Sequence, residues 1–219
     1  MKLNSATTKP AANRRNQGFT LIEMIGVLAV IAILAAVLIP KVFEAINNSR
    51  INNSAMTYNT VKTAIADHYA KNGSLPVDGT TTPATALTLP TEQFDMTLLK
   101  EAFLDKPFSV KIGDGTSDAT HARVRLFSMG SLTTASTVDG TSDTGYSLSG
   151  TGATNEILGS VCAEAVITGV TASDAKDLND QLDGPALGSA INVADIKGRV
   201  KYAAPSGGVT TVYIYLTHR

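Results

Sequence analysis

The 21 residues from Phe19 to Ile39 carry a single charge, Glu23, and no other feature of the chain limits its fold so sharply. As a helix, a run of that length spans about 30 Å, the thickness of a bilayer's hydrocarbon core. The 18 residues before it are polar and hold Lys2, Lys9, Arg14 and Arg15 but no acid, a bias that keeps such an end in the cytoplasm. A secretory signal has a shorter apolar core, about 7–15 residues, with a small-residue cleavage site beyond it. Here Ala35 and Ala36 lie inside the run and Pro40-Lys41 follow it. The run therefore reads as a membrane helix that is kept.

Glu23 is what a plain anchor leaves unexplained. A carboxylate in a membrane helix costs several kcal/mol unless it lies near the headgroups or has a partner, so intramembrane acids are read first as functional. Both readings, tolerated at the interface or paired, are open from the residues alone. The negative charge also suits the first turn of a helix, where the macrodipole is positive.

The stretch Arg14-Arg15-Asn16-Gln17-Gly18-Phe19-Thr20-Leu21-Ile22-Glu23 resembles the class III signal of type IV prepilins and of the pseudopilins of type II secretion. The resemblance covers the first quarter to third of the chain and implies several roles. A prepilin peptidase would cut between Gly18 and Phe19 and methylate the new amine of Phe19. Glu23 would become the fifth residue of the mature chain, where the family has its glutamate, and Pro40 also matches. The glutamate of one subunit would neutralise the terminal amine at Phe19 of a neighbour, so that Glu23 and Phe19 set the register of assembly.

Beyond Pro40, the residues Val42, Phe43, Ile46, Met56, Val61, Ala64, Ile65, His68 and Tyr69 recur at steps of three and four, the pattern of a helix with one buried face. Asn72-Gly73-Ser74-Leu75-Pro76 ends it. A helix from about Phe19 to Lys71 would be on the order of 80 Å long, so about half of it must protrude from a compact head. Pro40 removes an amide hydrogen, and a bend or local melting is expected near Ala36–Pro40. The expected organisation is a leader at 1–18, a membrane and assembly helix at 19–40, its amphipathic half at 41–73, and a globular head at 74–219.

In the head, 77–91 reads as a loop and Glu92–Leu104 as a short helix. Phe108–Ile112 and Ala122–Phe127 alternate like strands, joined across Gly113-Asp114-Gly115. Glu156–Gly169 is apolar but fits helix or strand equally. Ser173–Leu182 reads as a helix capped by Ser173 or Asp174 and stopped by Asp183-Gly184-Pro185. Arg199–Ala203 and Val209–Thr217 form a closing hairpin. The expected fold class is α+β: a long N-terminal helix whose amphipathic half packs on a small antiparallel sheet, the architecture the pilin resemblance also implies.

Candidate sites in the head are few. Asp114-Gly-Thr-Ser-Asp118 recurs as Asp139-Gly-Thr-Ser-Asp143; acidic loops of this kind suit calcium, which takes oxygen ligands, and they are equally ordinary turn chemistry. No other cofactor is expected. Asp174, Asp177, Asp180 and Asp183 read as a solvated acidic face. His68, His121 and His218 show no metal-ligand spacing, with His68 expected at the edge of the helix stripe. Cys162, the one cysteine, sits among small and apolar residues and reads as a buried thiol. No nucleophile elbow or phosphate loop is present, so no enzyme is expected. Without the leader's four basic residues the chain has 14 basic against 19 acidic residues, which disfavours nucleic acid, leaving Arg123 and Arg125 as a local basic patch.

Together these features lead to the expectation of a filament subunit held in the inner membrane with its head outside the cytoplasm. Its partners would be lipid, the prepilin peptidase, the assembly machinery and other copies of itself. The same anchor serves a pilus or a secretion pseudopilus, and the lack of a disulfide-bounded loop tilts toward the secretion-type or minor subunit. The alternative is a single-pass anchored periplasmic binding module that does not polymerise.

Overall fold

The computed structural model describes residues 18–76, 93–114, 121–128, 137–138, 143–151, 156–157 and 160–219. Two units divide the chain, Met1–Ala45 and Ile46–Arg219. Helix α1, Leu21–Asn72, contributes to both. It passes through Pro40 without a break in helical backbone, so the local melting expected near Ala36–Pro40 does not occur. Proline removes one hydrogen bond from the ladder, and the turns on either side remain helical. The helix ends as its sequence requires, with the Gly73 amide donating to the Tyr69 carbonyl at 2.8 Å.

The rest of the described chain comprises α2 (Phe94–Lys100), β1 (Ala122–Ser128), β2 (Thr137–Val138), β3 (Asp143–Thr144), β4 (Val161–Thr171), α3 (Ala172–Leu182), β5 (Val200–Tyr202) and β6 (Val209–His218). An antiparallel sheet runs in the order β1-β4-β6-β5, and β2 pairs with β3. This is a pilin-like α+β fold. One face of the sheet, with Val124, Ala165, Ile167, Ile214 and Leu216, joins Tyr58, Val61 and Ile65 of α1, Phe94 and Leu98 of α2 and Leu178 of α3 in a single apolar core. The other face is covered near Cys162 by Tyr146 and Ile157.

Cover on both faces explains why Glu156–Gly169 resisted assignment. Strand β4 is buried almost continuously from Cys162 to Ile167, so the alternation that marks a half-buried strand is absent. The hairpin β5–β6 matches expectation. Its turn places Gly207 and Gly208 at φ of 63° and 86°, between Ser206 and Val209 whose backbones pair; positive φ at both central residues suits the right-handed twist of the flanking strands.

Two expectations are corrected. Phe108–Ile112 is not a strand, although Phe108, Val110 and Ile112 are buried in the alternating manner foreseen. The buried carboxylate of Asp95 on α2 takes the place of a partner strand, accepting from the Phe108 amide at 3.0 Å and the Val124 amide at 3.2 Å. The cap of α3 is Thr171, two or three positions before the residues expected, its hydroxyl accepting from the Asp174 amide at 3.2 Å. The strand runs directly into the helix, so its last residue serves as the cap. The loop expected at 77–91 lies outside the described residues.

Candidate functional site

Gly18, Phe19 and Thr20 precede α1 in non-helical backbone and all three are exposed, Phe19 by 82%. The first turn is closed by a reciprocal pair of contacts. The Glu23 amide donates to the Thr20 hydroxyl oxygen at 3.3 Å, while one Glu23 carboxylate oxygen accepts from the Thr20 amide at 2.8 Å and from its hydroxyl at 2.7 Å. Thr20-Leu21-Ile22-Glu23 is thus a capping box, in which the cap and the third helical residue each satisfy an amide that the helix leaves orphaned. The signal, threonine followed three places later by glutamate, was present in the sequence. In an apolar run the helix dipole and the cost of a membrane carboxylate both offer other roles for Glu23, and they hide this one.

Past the cap, every residue from Leu21 to Ile46 is exposed except the half-exposed Ala35. Leu21, Ile33 and Val37 are each about two-thirds exposed or more. This helix is long and apolar enough to cross a membrane by length and composition, and an apolar surface of such extent marks a place of interaction with lipid or protein. A side chain at Gly18 would meet nothing within 4 Å, so that glycine is not held by packing.

In the head, the acidic row expected to be solvated is mostly built into the fold. Asp174 is buried and faces Arg50 at 3.8 Å, Lys176 donates to Asp180 at 2.5 Å, and the Asp183 carboxylate accepts from the Arg199 and Val200 amides and from Arg199 Nε at 2.9 Å. A helix packed against the sheet turns part of its acidic row inward, which spacing alone did not reveal. Asp177 differs: among the described residues its hydrogen bond comes from the Asn47 amide group at 3.3 Å. Burial, with Asp174 and Asp180 nearby, pushes its carboxyl above the usual aspartate range. A raised native value means that the folded state holds the proton more tightly, so stability falls as pH rises from about 4, the unfolded value, through the native one. Asp177→Asn is therefore expected to raise the melting temperature at pH 7 and to leave it unchanged near pH 3, as read by circular dichroism.

The basic patch at Arg123 and Arg125 is also corrected. Arg125 is buried and its guanidinium pairs with the fully buried Glu164. The second Glu164 oxygen accepts from the Tyr146 hydroxyl at 2.6 Å. Lys201, fully buried as well, donates to the Gly145 carbonyl at 2.6 Å and lies 4.0 Å from the Tyr146 ring centre. Arg125 and Glu164 are directly opposed across β1 and β4, so the pair becomes legible only once strand register is known.

Of the four calcium candidates, Asp114 is the one whose side chain is described. Asp114 is exposed, its amide donating to the Thr168 carbonyl at 2.9 Å. The loop is seated in a β4 bulge between Ile167 and Val170, where added side chains at Gly113 or Gly169 would run into Thr168 or Asp114. Asp118 and Asp139 lie outside the described residues, as does the side chain of Asp143. Among the described residues no group of three or more His, Cys, Asp or Glu is placed to hold a metal ion. His68 is buried rather than at an edge, 3% exposed, with Nδ1 at 2.7 Å from Glu101 and its ring edge-on to Phe94 and Phe103. Cys162 is a buried thiol that is in no disulfide. His218 Nδ1 meets the Tyr215 hydroxyl at 2.5 Å, and burial pushes that phenol up to about 12.

Comparison with known proteins bears on the helix start. Residues 13–39 match the family model described as the prokaryotic N-terminal methylation motif. The chain is 32% identical over 68 residues to the type IV major pilin protein PilE of Neisseria gonorrhoeae, covering 31% of this chain and 41% of that protein. It is 31% identical over 68 residues to a fimbrial protein of Neisseria meningitidis serogroup A, covering 31% of this chain and 40% of that one. The matches span about two-fifths of the length of these curated relatives.

Proposed function

The chain carries the N-terminal signature of the type IV pilin and pseudopilin family on a pilin-like fold, and from that premise we propose that it is a filament subunit, cut between Gly18 and Phe19 and polymerised through α1. The likeness is to structural proteins. The observation that carries the reading is the capping box placed immediately after the proposed cut, at the head of an exposed apolar helix. Before cleavage the basic leader holds one end in the cytoplasm, and α1 anchors the subunit in the inner membrane with its head outside. Cleavage by a prepilin peptidase removes the leader, leaves the helix in place and creates a positive amine at Phe19, one residue from Thr20. The acid that closed its own first turn then has a cation to answer in a neighbouring subunit, and Phe19 with Glu23 sets the register. The assembly machinery and other copies of the chain are the partners of this step, and nucleic acid has no part in it.

Mass spectrometry of protein from assembled filaments tests the proposal. The expected mature chain begins at Phe19 with one methyl group on its amine, and Gly18→Ala should be processed better than a bulky replacement. Filaments built from chains that still contain Met1–Gly18 would overturn it. The named relatives are pilins, which favours a pilus. A secretion pseudopilus is the second reading, supported by the single cysteine, which rules out an intrachain disulfide in the head. Calcium bound by loops at Asp114, Asp118, Asp139 and Asp143 remains a proposal for the head, testable by calorimetric titration with the ion.

A further inference from the structure

We infer that the head carries a contact of its own between copies of this chain, in which a groove on one flank of α1 receives the α3 face around Asp177 of the next copy. The inference rests on the reading of the chain as a polymerising subunit and assigns to its heads the surfaces that meet. The first groove, about 250 Å³, lies between α1 and the segment that follows α2. Met56 is 68% exposed at its edge and Leu104, Pro107 and Phe108 line its wall. Lys106 stands beside them with no hydrogen bond or ion pair among the described residues. The second, about 330 Å³, lies between α1 and α3 and is lined by Asn48, Asn52, Asp177 and Gln181.

Charge selects the occupant. Of the four aspartates on and just after α3, Asp174, Asp180 and Asp183 each sit in an ion pair, whereas among the described residues Asp177 sits in none: its hydrogen bond comes from the neutral Asn47 amide group, and Lys176, whose charge also reaches it, is paired with Asp180. Asp177 is held in an environment that disfavours its charge, so a cation brought to it from outside relieves a cost already present. Lys106 is such a cation, and it stands in the groove on the other flank. At 3.6 residues per turn, the α1 residues of the two grooves are centred roughly 150° apart around the helix. Different patches therefore meet, so the contact is head-to-tail, and unless its rotation closes a ring it propagates as a fibre. An exposed ion pair contributes little affinity; its effect is on orientation and the choice of partner, with Met56 filling the apolar part of the contact.

Cysteine crosslinking of the full-length chain in its own cells decides the matter. Met56→Cys combined with Gln181→Cys should yield, on mild oxidation, a ladder of dimers, trimers and larger species, and neither substitution alone should do so. Absence of a ladder, or dimers from a single substitution, overturns the inference. Microscopy of the same cells separates the two failures: filaments without a ladder sink this contact alone, and no filaments from the unaltered chain sinks the reading beneath it. A second set of variants guards against misfolding. Lys106→Asp and Asp177→Lys should each lower filament number about tenfold and together restore it, and normal filaments from either single variant would count against the contact.

Discussion

Replacing Glu23 by alanine is expected to leave the chain inserted in the membrane while lowering its incorporation into filaments by tenfold or more, as measured by fractionation and electron microscopy. The size follows from where the subunit starts. In lipid, the apolar side chains of α1 are already out of water, so moving them into a helix bundle exchanges one apolar environment for another. Directed polar contacts then decide position. Two unit charges 4 Å apart attract by about 4 kcal/mol at an effective dielectric of 20, more than enough for a tenfold effect. Glu23→Ala also opens the capping box, so a second variant is needed to separate the two roles. Glu23→Gln keeps a side chain able to close the box and removes the charge. It should keep the first turn and fail in assembly nearly as badly as alanine; normal filaments from Glu23→Gln would show that the charge is not what aligns the subunits.

The second large effect lies in the head. Arg125→Met should destabilise it by about 3–5 kcal/mol, because it leaves the buried Glu164 carboxylate without its ion-pair partner. The comparison that gives this meaning is the double replacement Arg125→Met with Glu164→Leu, which removes both charges and should recover most of the loss, since apolar residues of similar volume often replace a buried pair at little cost. Urea unfolding of the detergent-solubilised chain would measure both. Equal losses in the single and double variants would indicate that the residues matter for packing and not for charge.

The sequence reveals elements whose cause is local. The apolar run, the glycine that ends α1 and the β5–β6 turn each depend on a few adjacent residues, and the structure has them where those residues point. Features that depend on distant neighbours are less legible. Asp95 reaches Phe108 and Val124 across the fold, and nothing in Phe108–Ile112 announces that an acid will take the place of a strand. Arg125 and Glu164 are 39 positions apart and meet through β-sheet register. The acidic row of α3 reads as solvated because its counterions come from α1, from its own preceding turn and from the residue before β5. The capping box is a different kind of case: its signal, threonine followed three places later by glutamate, is local and complete, but it is shared with a carboxylate that also stands in an apolar run.

The carboxylate of Asp95 has one more consequence. Strand β1 stands at the border of the sheet, and an open border strand invites stray strands to join it. By holding the Val124 amide, Asp95 withdraws a donor that an incoming strand would need. In the proposed filament, heads crowded side by side can then touch through side chains without zipping their sheets together, each keeping its own fold.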